Sequence, residues 1–256
     1  MIASALAKLA QDLDPSPRPE RVLSPEDQVL KDACRYDVKL FAVTFFSHLC
    51  PTTFSSMHED FFARYQADAG ARGLRDATAA PRQYAKTTII GKIKIIHDCV
   101  YQHERYIIII SSRDEFAIDK VKDIRRELES NEALMRVYGP QVGSLWNTDD
   151  IITAQEVRVR AIARGADARG LLWGQYRPTK IVPDDAERAL HVLTENQRQK
   201  TWDWFVEDIS KLGDKDTNID AIGTLLHQES LLARLLKNPG YRARCYQAVL
   251  QFADAS

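Results

Sequence analysis

Apolar and polar residues alternate along the chain in a pattern that predicts helices first and then strands alternating with helices. Residues 29–48 and 54–70 repeat apolar side chains at helical spacing, and the second segment ends at Gly70. Predicted strands follow at residues 75–80, 105–112, 179–185 and 218–227, and those at 105–112 and 179–185 are expected to be buried. Segments with helical periodicity lie between or after them, at residues 86–101, 113–131, 194–212 and 229–237.

Residues 150–165 predict a β-hairpin, because apolar side chains alternate there with Arg158 and Arg160. Continuous apolar strands separated by helices are typical of a mostly parallel sheet that is covered on both faces. The sequence therefore predicts an α/β fold with a mostly parallel central sheet flanked by helices and preceded by a helical N-terminal part. In the helix over 113–131, the residues expected on or near one apolar face are Phe116, Val121, Ile124 and Leu128.

The N-terminal residues differ in composition from the rest of the chain. Residues 12–28 hold four prolines and mixed charge, which predicts a poorly ordered, extended segment over 1–28. Residues 29–256 are then expected to form a single domain, because a chain of 256 residues can bury one large core.

Charge and cysteine content narrow the classes of function. The formal net charge is −1, so the chain has no overall basic footprint for tight static nucleic-acid binding, although a local basic face remains possible. The four cysteines form no CxxC pair, which argues against a zinc site or a disulfide framework. The N-terminal segment is too short and too polar for a signal peptide or a membrane span. A cytoplasmic protein that is neither secreted nor membrane-bound is expected.

The segment "APRQYAKTT" at residues 80–88 joins a predicted strand to a predicted helix and ends in a Lys-Thr pair. A phosphate-binding loop has this context, because backbone N–H groups and a helix N-terminus face the anion. The usual pattern places glycines at the positions of Ala80 and Ala85. Alanine at positive φ costs about 1–2 kcal/mol, so the loop must be strained or slightly reshaped. Arg82 adds a second cation that could reach a γ-phosphate.

A second motif, "KIVPDDAE" at residues 180–187, places two acids directly after an apolar strand. Mg²⁺-nucleotide chemistry needs one carboxylate that holds the metal and another that polarises the attacking water. Asp184 is in the position of the metal carboxylate. Asp185 is in the position of the general base, and Glu187 projects to the same side if the chain stays extended. Both motifs together, each after an apolar strand, favour an NTPase over coincidence.

With these two motifs the chain resembles the N-terminal ATPase domain of a phage terminase large subunit, the DNA-packaging motor. "PRQYAKTT" is similar to the family's arginine-containing Walker A loop, and "IVPDDAE" is similar to its Asp-Asp-x-Glu form of Walker B. "AIGTLLHQESLL" at 221–232 is similar to the coupling motif, and "LFAVTFFSHLCPTTFSSMHEDFF" at 40–62 to the N-terminal helical part. The segment at 166–185 resembles the Arg-Gly stretch before Walker B. The resemblance runs from about residue 38 to 237 and implies a P-loop NTPase fold of the additional-strand (ASCE) type.

The resemblance implies a site for ATP and Mg²⁺. Lys86 would hold the β- and γ-phosphates, and Thr87 and Asp184 would hold Mg²⁺. Arg82 would contact the γ-phosphate from within the same subunit. The nucleotide-binding loop implied in this way consists of Pro81, Arg82, Gln83, Tyr84, Ala85, Lys86, Thr87 and Thr88.

The catalytic and coupling residues implied by the resemblance lie after the two later strands. Asp185 or Glu187 would orient the attacking water, and the residues alone do not decide between them. Thr224, which follows Gly223, would sense the hydrolysed state and transmit it as part of the coupling motif.

The resemblance also implies partners. Terminase motors act as rings in which a neighbouring subunit inserts an arginine finger; Arg169 is the first candidate here and Arg177 the second. The expected partners are double-stranded DNA, a portal protein, a terminase small subunit and further copies of the chain, as a pentamer on the capsid and a monomer alone. The expected location is the host cytoplasm, at the procapsid portal. The chain stops at Ser256, so no nuclease domain is expected within it and DNA cleavage is not assigned.

Three other interpretations remain open at this point. The chain could be another additional-strand ATPase that acts on nucleic acid, such as a helicase-like protein, with Trp202 and Trp204 as candidate stacking residues, although core packing suits both better. It could be a structural relative that binds no nucleotide, as the missing glycines suggest. The acids at 184–187 could belong to a metal nuclease, but neither Asp76 nor Asp220 is obviously placed to help.

Overall fold

A computed structural model describes residues 22–50, 53–166, 168 and 170–247 of the chain. Within these ranges eight strands form one sheet. The strands are β1 (Arg75–Ala79), β2 (Tyr106–Ser111), β3 (Val142–Trp146), β4 (Asp150–Thr153), β5 (Arg158–Ala163), β6 (Lys180–Pro183), β7 (Asn218–Gly223) and β8 (Arg242–Cys245).

Helices flank this sheet. The uninterrupted ones are α1 (Pro25–Cys34), α2 (Val38–Phe45), α3 (Ser56–Ala67), α5 (Asp114–Ser130), α6 (Glu132–Tyr138) and α8 (Leu231–Lys237). Between α3 and α5, helix α4 runs through Lys86–Thr88, the π-helical Ile89–Ile93 and Lys94–Val100. Helix α7 comprises Glu195–Trp204 and the π-helical Phe205–Ile209, and a 3₁₀ turn at Ala189–His191 precedes it.

Side-chain caps explain where several of these helices begin. The hydroxyl of Ser24 accepts a hydrogen bond from Asp27 N at 3.1 Å, and the carboxylate of Asp37 accepts one from Leu40 N at 2.8 Å. Ser230 caps α8 in the same way. Each cap satisfies a backbone N–H that the first helical turn leaves without a partner.

The strands lie in the order β3-β4-β5-β2-β6-β7-β1-β8. The six strands from β5 to β8 in this order are parallel, and β4 and β3 extend the sheet as antiparallel strands. The sheet is therefore mixed, and β7 separates β6 from β1. The carboxyl ends of β1, β2, β6 and β7 meet at one edge, called here the carboxyl edge; the opposite one is the amino edge. Ligands of open parallel sheets bind outside the carboxyl ends.

The core consists of two layers, one on each face of the sheet. In β2, Ile107 and Ile109 belong to the layer that includes α1 to α6, whereas Ile108 and Ile110 belong to the layer with α7 and α8. Successive strand residues point to opposite faces, so a strand that is apolar throughout must be covered on both. The α/β architecture with helices flanking a central sheet, predicted from the apolar runs, is confirmed at this level.

The structure corrects several details of the sequence prediction. The segments β3, α6 and β8 were not predicted. Helix α1 begins at Pro25, inside the segment expected to be extended, because proline suits the first turn of a helix and Ser24 caps it. In α5, Val121, Ile124 and Leu128 are buried as expected, but Phe116 is 45% exposed. The buried stripe starts at Ala117, and Phe116 faces the cleft described below.

Candidate functional site

The loop between β1 and α4 turns through two left-handed residues, Gln83 (φ 67°) and Ala85 (φ 51°). Ala80 instead continues the pairing of β1, since its N–H donates to Gly223 O at 3.0 Å. Of the two alanines at glycine positions, only Ala85 therefore adopts a conformation that favours glycine. A non-glycine residue there costs about 1–2 kcal/mol. The loop is strained at Ala85 and reshaped at Gln83.

Lys86 begins α4 and its side chain is buried. Its Nζ donates to Thr224 Oγ1 at 3.2 Å and to Pro81 O at 3.5 Å. The loop therefore wraps the ammonium group and directs it towards the end of β7. The preceding peptide N–H groups and the N-terminus of α4 add partial positive charge at the same place.

Asp184 follows β6 and contacts Thr87, the residue after Lys86. Thr87 Oγ1 donates to Asp184 Oδ1 at 3.2 Å, which joins two motifs that lie 97 residues apart in the chain. Asp184 is fully buried, and Ser111 at the end of β2 donates to its backbone oxygen at 2.7 Å. On Gly91 of α4, a Cβ would come within 3.1 Å of Asp184 Oδ2, so this side chain fits closely against the helix.

Lys120 on α5 completes the surroundings of Asp184. Its Nζ forms an ion pair with Asp184 Oδ2, across 64 residues of sequence. Burial raises the pKa of the Asp184 carboxyl above its ordinary value, and the Lys120 ammonium opposes that shift. Lys120 could not be recognised from the sequence, because a lysine on an amphipathic helix normally faces solvent and no motif marks this one.

Asp185 lies at the edge of the cleft with its side chain exposed and its backbone in the left-handed region, at φ 47°. Its Oδ1 accepts a hydrogen bond from Thr224 N at 3.1 Å, and its own N–H donates to Ile222 O at 3.0 Å. A Cβ on Gly223 would lie 3.0 Å from Asp185 Oδ1, so glycine permits this close approach. The predicted base position and the predicted coupling residues are therefore in direct contact.

Glu187 has a different environment from Asp185. Its carboxylate is half-buried, its Oε2 accepts from Leu232 N at 3.4 Å at the start of α8, and its Oε1 accepts no hydrogen bond from the residues that the structure describes. Burial raises the pKa of Glu187, and hydrogen bonds from the backbone of Leu231 and Leu232 oppose the shift. Glu187 therefore holds α8 against the end of β6.

These side chains line one open cleft of about 670 Å³ at the carboxyl edge. Its volume falls within the range of small-molecule sites, which is about 300–1,000 Å³. Its lining contains four cationic side chains and four acidic ones, namely Asp119, Asp123, Asp185 and Glu187, and the buried Asp184 contacts the lining residues Thr87 and Lys120. This arrangement is suited to a phosphorylated ligand and a cation. The residues that define this character are Arg82, Lys86, Thr87, Lys120, Asp185, Glu187, Arg188 and Thr224.

The other predicted loop residues lie around this cleft in different ways. Arg82 and Gln83 are exposed and line it. Pro81 contributes its carbonyl oxygen to Lys86, and Thr88 lies half-buried in the first turn of α4. Tyr84 is 39% exposed, and its carbonyl oxygen faces helix α3.

His58 on α3 accounts for the position of Tyr84 and was not identified from sequence. Its Nδ1 accepts a hydrogen bond from Ser55 N at 3.1 Å, so a neutral ring carries its hydrogen on Nε2, which lies 3.1 Å from Tyr84 O. This hydrogen bond joins the loop to the N-terminal helices across 26 residues of sequence.

The structure describes only one of the two arginines proposed as a finger for a neighbouring subunit. Arg169 lies outside the described residues. Arg177 is exposed and precedes β6, so it lies towards the amino edge and away from the cleft of its own subunit.

Residues named for the alternative interpretations lie elsewhere. Trp202 and Trp204 are partly buried and pack against the layer formed with α7 and α8, as expected for core residues. Asp76 and Asp220 are neighbours in register on β1 and β7, where they face the buried side chain of Arg64. Because they lie towards the amino edge, they are separate from the acids at 184–187.

Comparisons with known proteins identify no relative. No family model matches the chain, and no curated protein matches it. None of the helices in the described part of the chain is long and apolar enough to cross a membrane.

Proposed function

We propose that the chain is a Mg²⁺-dependent ATP-hydrolysing domain with its active site in the cleft at the carboxyl edge. The observation that carries this proposal is the hydrogen bond of 3.2 Å between Thr87 Oγ1 and Asp184 Oδ1. It brings together the hydroxyl and the carboxylate that a Mg²⁺-nucleotide site requires, beside a buried lysine at a helix N-terminus.

The residues at Asp184 suit a divalent cation. Mg²⁺ prefers oxygen ligands, and Thr87 and Asp184 supply a hydroxyl and a carboxylate. The Lys120 ammonium already lies against Asp184 Oδ2, so the position accommodates positive charge. Held by Thr87 and Asp184, Mg²⁺ would supply positive charge that neutralises charge developing on the phosphate.

The remaining roles follow from exposure and contact. Lys86 binds phosphate oxygens from inside the loop, and Arg82 reaches the same phosphates from its exposed position on the cleft. Asp185 orients the attacking water, because its carboxylate is exposed while that of Glu187 is half-buried and bound to the N-terminus of α8. Glu187 is then a positioning residue.

The strand order supports a P-loop NTPase fold of the additional-strand type. β1 leads into the phosphate loop, β6 leads into the acidic pair, and β7 lies between them. β7 ends in Gly223, and Thr224 contacts both Lys86 and Asp185. The carboxyl end of the additional strand is therefore suited to sense the state of the bound nucleotide.

We further propose that this domain acts as the ATPase of a DNA-packaging motor of the terminase type, on the strength of the sequence resemblance. In this proposal it translocates double-stranded DNA into a procapsid in the host cytoplasm. It works as a ring with a portal protein and a terminase small subunit, and receives an arginine, Arg169 or Arg177, from a neighbouring copy. Isolated monomers are then slow ATPases, since an arginine finger supplied in trans contributes about 10³–10⁵-fold in related chemistry.

ATP binding and hydrolysis test the site directly. Wild-type chain is titrated with a fluorescent ATP analogue, with and without MgCl₂, and phosphate release is measured. Lys86→Ala should abolish both. Lys92→Ala, a substitution on the same helix α4 that removes an ion pair with Asp123 of α5, should leave both unchanged. Absence of binding at millimolar ATP would refute the enzyme proposal and favour a structural relative.

Nucleic-acid dependence tests the motor proposal separately. Phosphate release is measured at high chain concentration with double-stranded and with single-stranded DNA. A packaging motor is stimulated by the duplex. Stimulation by single strands alone would favour the helicase-like alternative.

A further inference from the structure

Both carboxylate oxygens of Asp184 are engaged, one by a hydroxyl and one by a cation. Oδ1 accepts from Thr87 Oγ1, and Oδ2 is paired with Lys120 Nζ. The carboxylate is fully buried, while the Lys120 side chain is 17% exposed. Lys120 therefore extends from the cleft surface to a buried acid, with its ammonium at the inner end.

Lys120 and a divalent cation would both bind the carboxylate of Asp184. A buried carboxylate is stable in its charged form only beside a counter-ion, and Lys120 is that counter-ion in this structure. A divalent cation on Asp184 would face the ammonium at close range, and their repulsion is strong because water is excluded there. The repulsion disfavours simultaneous binding of the two cations, even though they would lie on different oxygens of the carboxylate.

A displaced Lys120 ammonium needs another partner in the cleft. The acids that share its helix and line the cleft are Asp119 and Asp123, and both already pair with cations, Asp119 with Lys122 and Asp123 with Lys92. The other cleft acids, Asp185 and Glu187, each already accept a backbone hydrogen bond. An anionic phosphate in the cleft would supply a partner with more negative charge than either. The flexible stem of lysine allows such a movement without a change in the backbone.

We propose that Lys120 competes with the divalent cation for Asp184, so that the cation binds effectively only together with a phosphate-bearing ligand that accepts the lysine. This inference rests on the proposed function for the identity of that ligand. It assigns Lys120 a regulatory role: the metal position remains closed to free Mg²⁺ and opens when the nucleotide enters.

Binding of Mn²⁺ to the full chain, measured by electron paramagnetic resonance without nucleotide, tests the competition. Lys120→Met and Lys120→Gln should each tighten Mn²⁺ binding by about 10-fold or more, the size of effect seen when groups around a metal site change. Lys122→Met, which removes an exposed lysine from the same helix, should bind Mn²⁺ as the wild type does. Adding Asp184→Asn to Lys120→Gln should abolish the gain.

Two controls keep the result decisive. Lys120→Gln retains an N–H donor for Asp184 and therefore folds even if Lys120→Met does not, as thermal melting will show. Unchanged Mn²⁺ affinity in a folded Lys120 variant would overturn the competition.

A second titration distinguishes the two proposals. Mn²⁺ binding to the wild type is repeated with saturating ATP, where the difference from Lys120→Gln should shrink. If Lys120→Gln binds Mn²⁺ tightly but neither chain binds ATP, the proposed function fails while the competition at Asp184 stands. If ATP binds and Lys120→Gln gains no Mn²⁺ affinity, only the competition fails.

Discussion

Charged side chains gather at both edges of the sheet, but they are arranged in opposite ways. At the carboxyl edge, Arg82 and Asp185 are exposed on an open cleft, and the backbone beside them is strained. At the amino edge the charges are buried against one another. Lys180, at the start of β6, pairs with Asp98 at 2.8 Å, and Lys94 pairs with the other oxygen of the same carboxylate.

At the amino edge, the Asp98 carboxylate has a cationic partner on each of its oxygens. Burial opposes the charge on Asp98, but Lys180 and Lys94 outweigh it and hold the pKa of this carboxyl well below its usual range. His97, Asp98 and His103 bring three possible metal-ligand atoms within 4.8 Å of one another, yet both Asp98 oxygens are already held by lysines. Clustered charge at this edge therefore stabilises the fold.

The comparison teaches that pairing and exposure, more than charge itself, distinguish a candidate active site from a structural cluster. Groups that are strained, exposed or only partly paired retain the capacity to bind something else. Substitutions at the two edges should therefore separate cleanly, with loss of activity at one and loss of stability at the other.

The largest expected effect is at the carboxyl edge. Asp185→Asn should lower the rate of ATP hydrolysis by about 10²–10⁴-fold, the usual contribution of a general base, with little change in melting temperature. The measurement is phosphate release at saturating ATP. Glu187→Gln is the matched control and should reduce the rate less; a larger loss in Glu187→Gln would exchange the roles of the two acids.

At the amino edge, Asp98→Ala should lower the free energy of unfolding by about 3–5 kcal/mol, because it leaves two buried lysines without their shared partner. Urea unfolding measures this. Glu59→Ala removes an exposed partner of Lys39 and should cost only about 0–1 kcal/mol. Similar costs for the two variants would mean that the buried cluster does not stabilise the fold.

Glu187→Gln should also change the dependence of stability on pH. The pKa of Glu187 is raised in the folded chain, so its contribution to stability is present at acid pH and is lost as pH rises through the raised value. Glutamine does not ionise, so the variant should gain melting temperature relative to the wild type as pH rises from the ordinary glutamate pKa through the raised value, and should gain nothing below the ordinary pKa. A constant difference at every pH would exclude a burial effect on the carboxyl group.

The smallest expected effect concerns strain in the phosphate loop. Ala85→Gly removes a left-handed alanine that costs about 1–2 kcal/mol, but glycine adds about 0.4–1 kcal/mol of backbone entropy to the unfolded chain. The net gain should be about 0–1.5 kcal/mol in urea unfolding. Ala80→Gly relieves no such strain and should only destabilise; equal effects at both positions would contradict the assignment of strain to Ala85.

The sequence predicted the parts of the fold that have a periodic apolar signal. The apolar runs in β2 and β6 are continuous because these strands are buried on both faces. β3 and β8 were missed because they lie at the ends of the strand order and are largely half-buried or exposed, so they carry no such run.

The candidate site could be predicted as far as local motifs extend. Lys86 and Thr87 follow β1, and Asp184 follows β6. Because these strands are parallel, their carboxyl ends lie at the same edge of the sheet, which brings the three residues close together. Lys120 and His58 could not be found in this way. Each reaches the site through a single side-chain contact, Lys120 with Asp184 and His58 with the carbonyl oxygen of Tyr84. The helices that carry them have ordinary amphipathic sequences, so the contacts depend on how these helices pack.

Thr224 shows what the geometry implies for the transmission of a signal. Its hydroxyl accepts from Lys86, and its backbone N–H donates to Asp185. A ligand that attracts the side chain of Lys86 or of Asp185 therefore alters a hydrogen bond of Thr224. Six residues later the chain enters α8 at Ser230, which caps that helix. A change at either side chain therefore reaches the N-terminus of α8 through the short connection that follows Thr224.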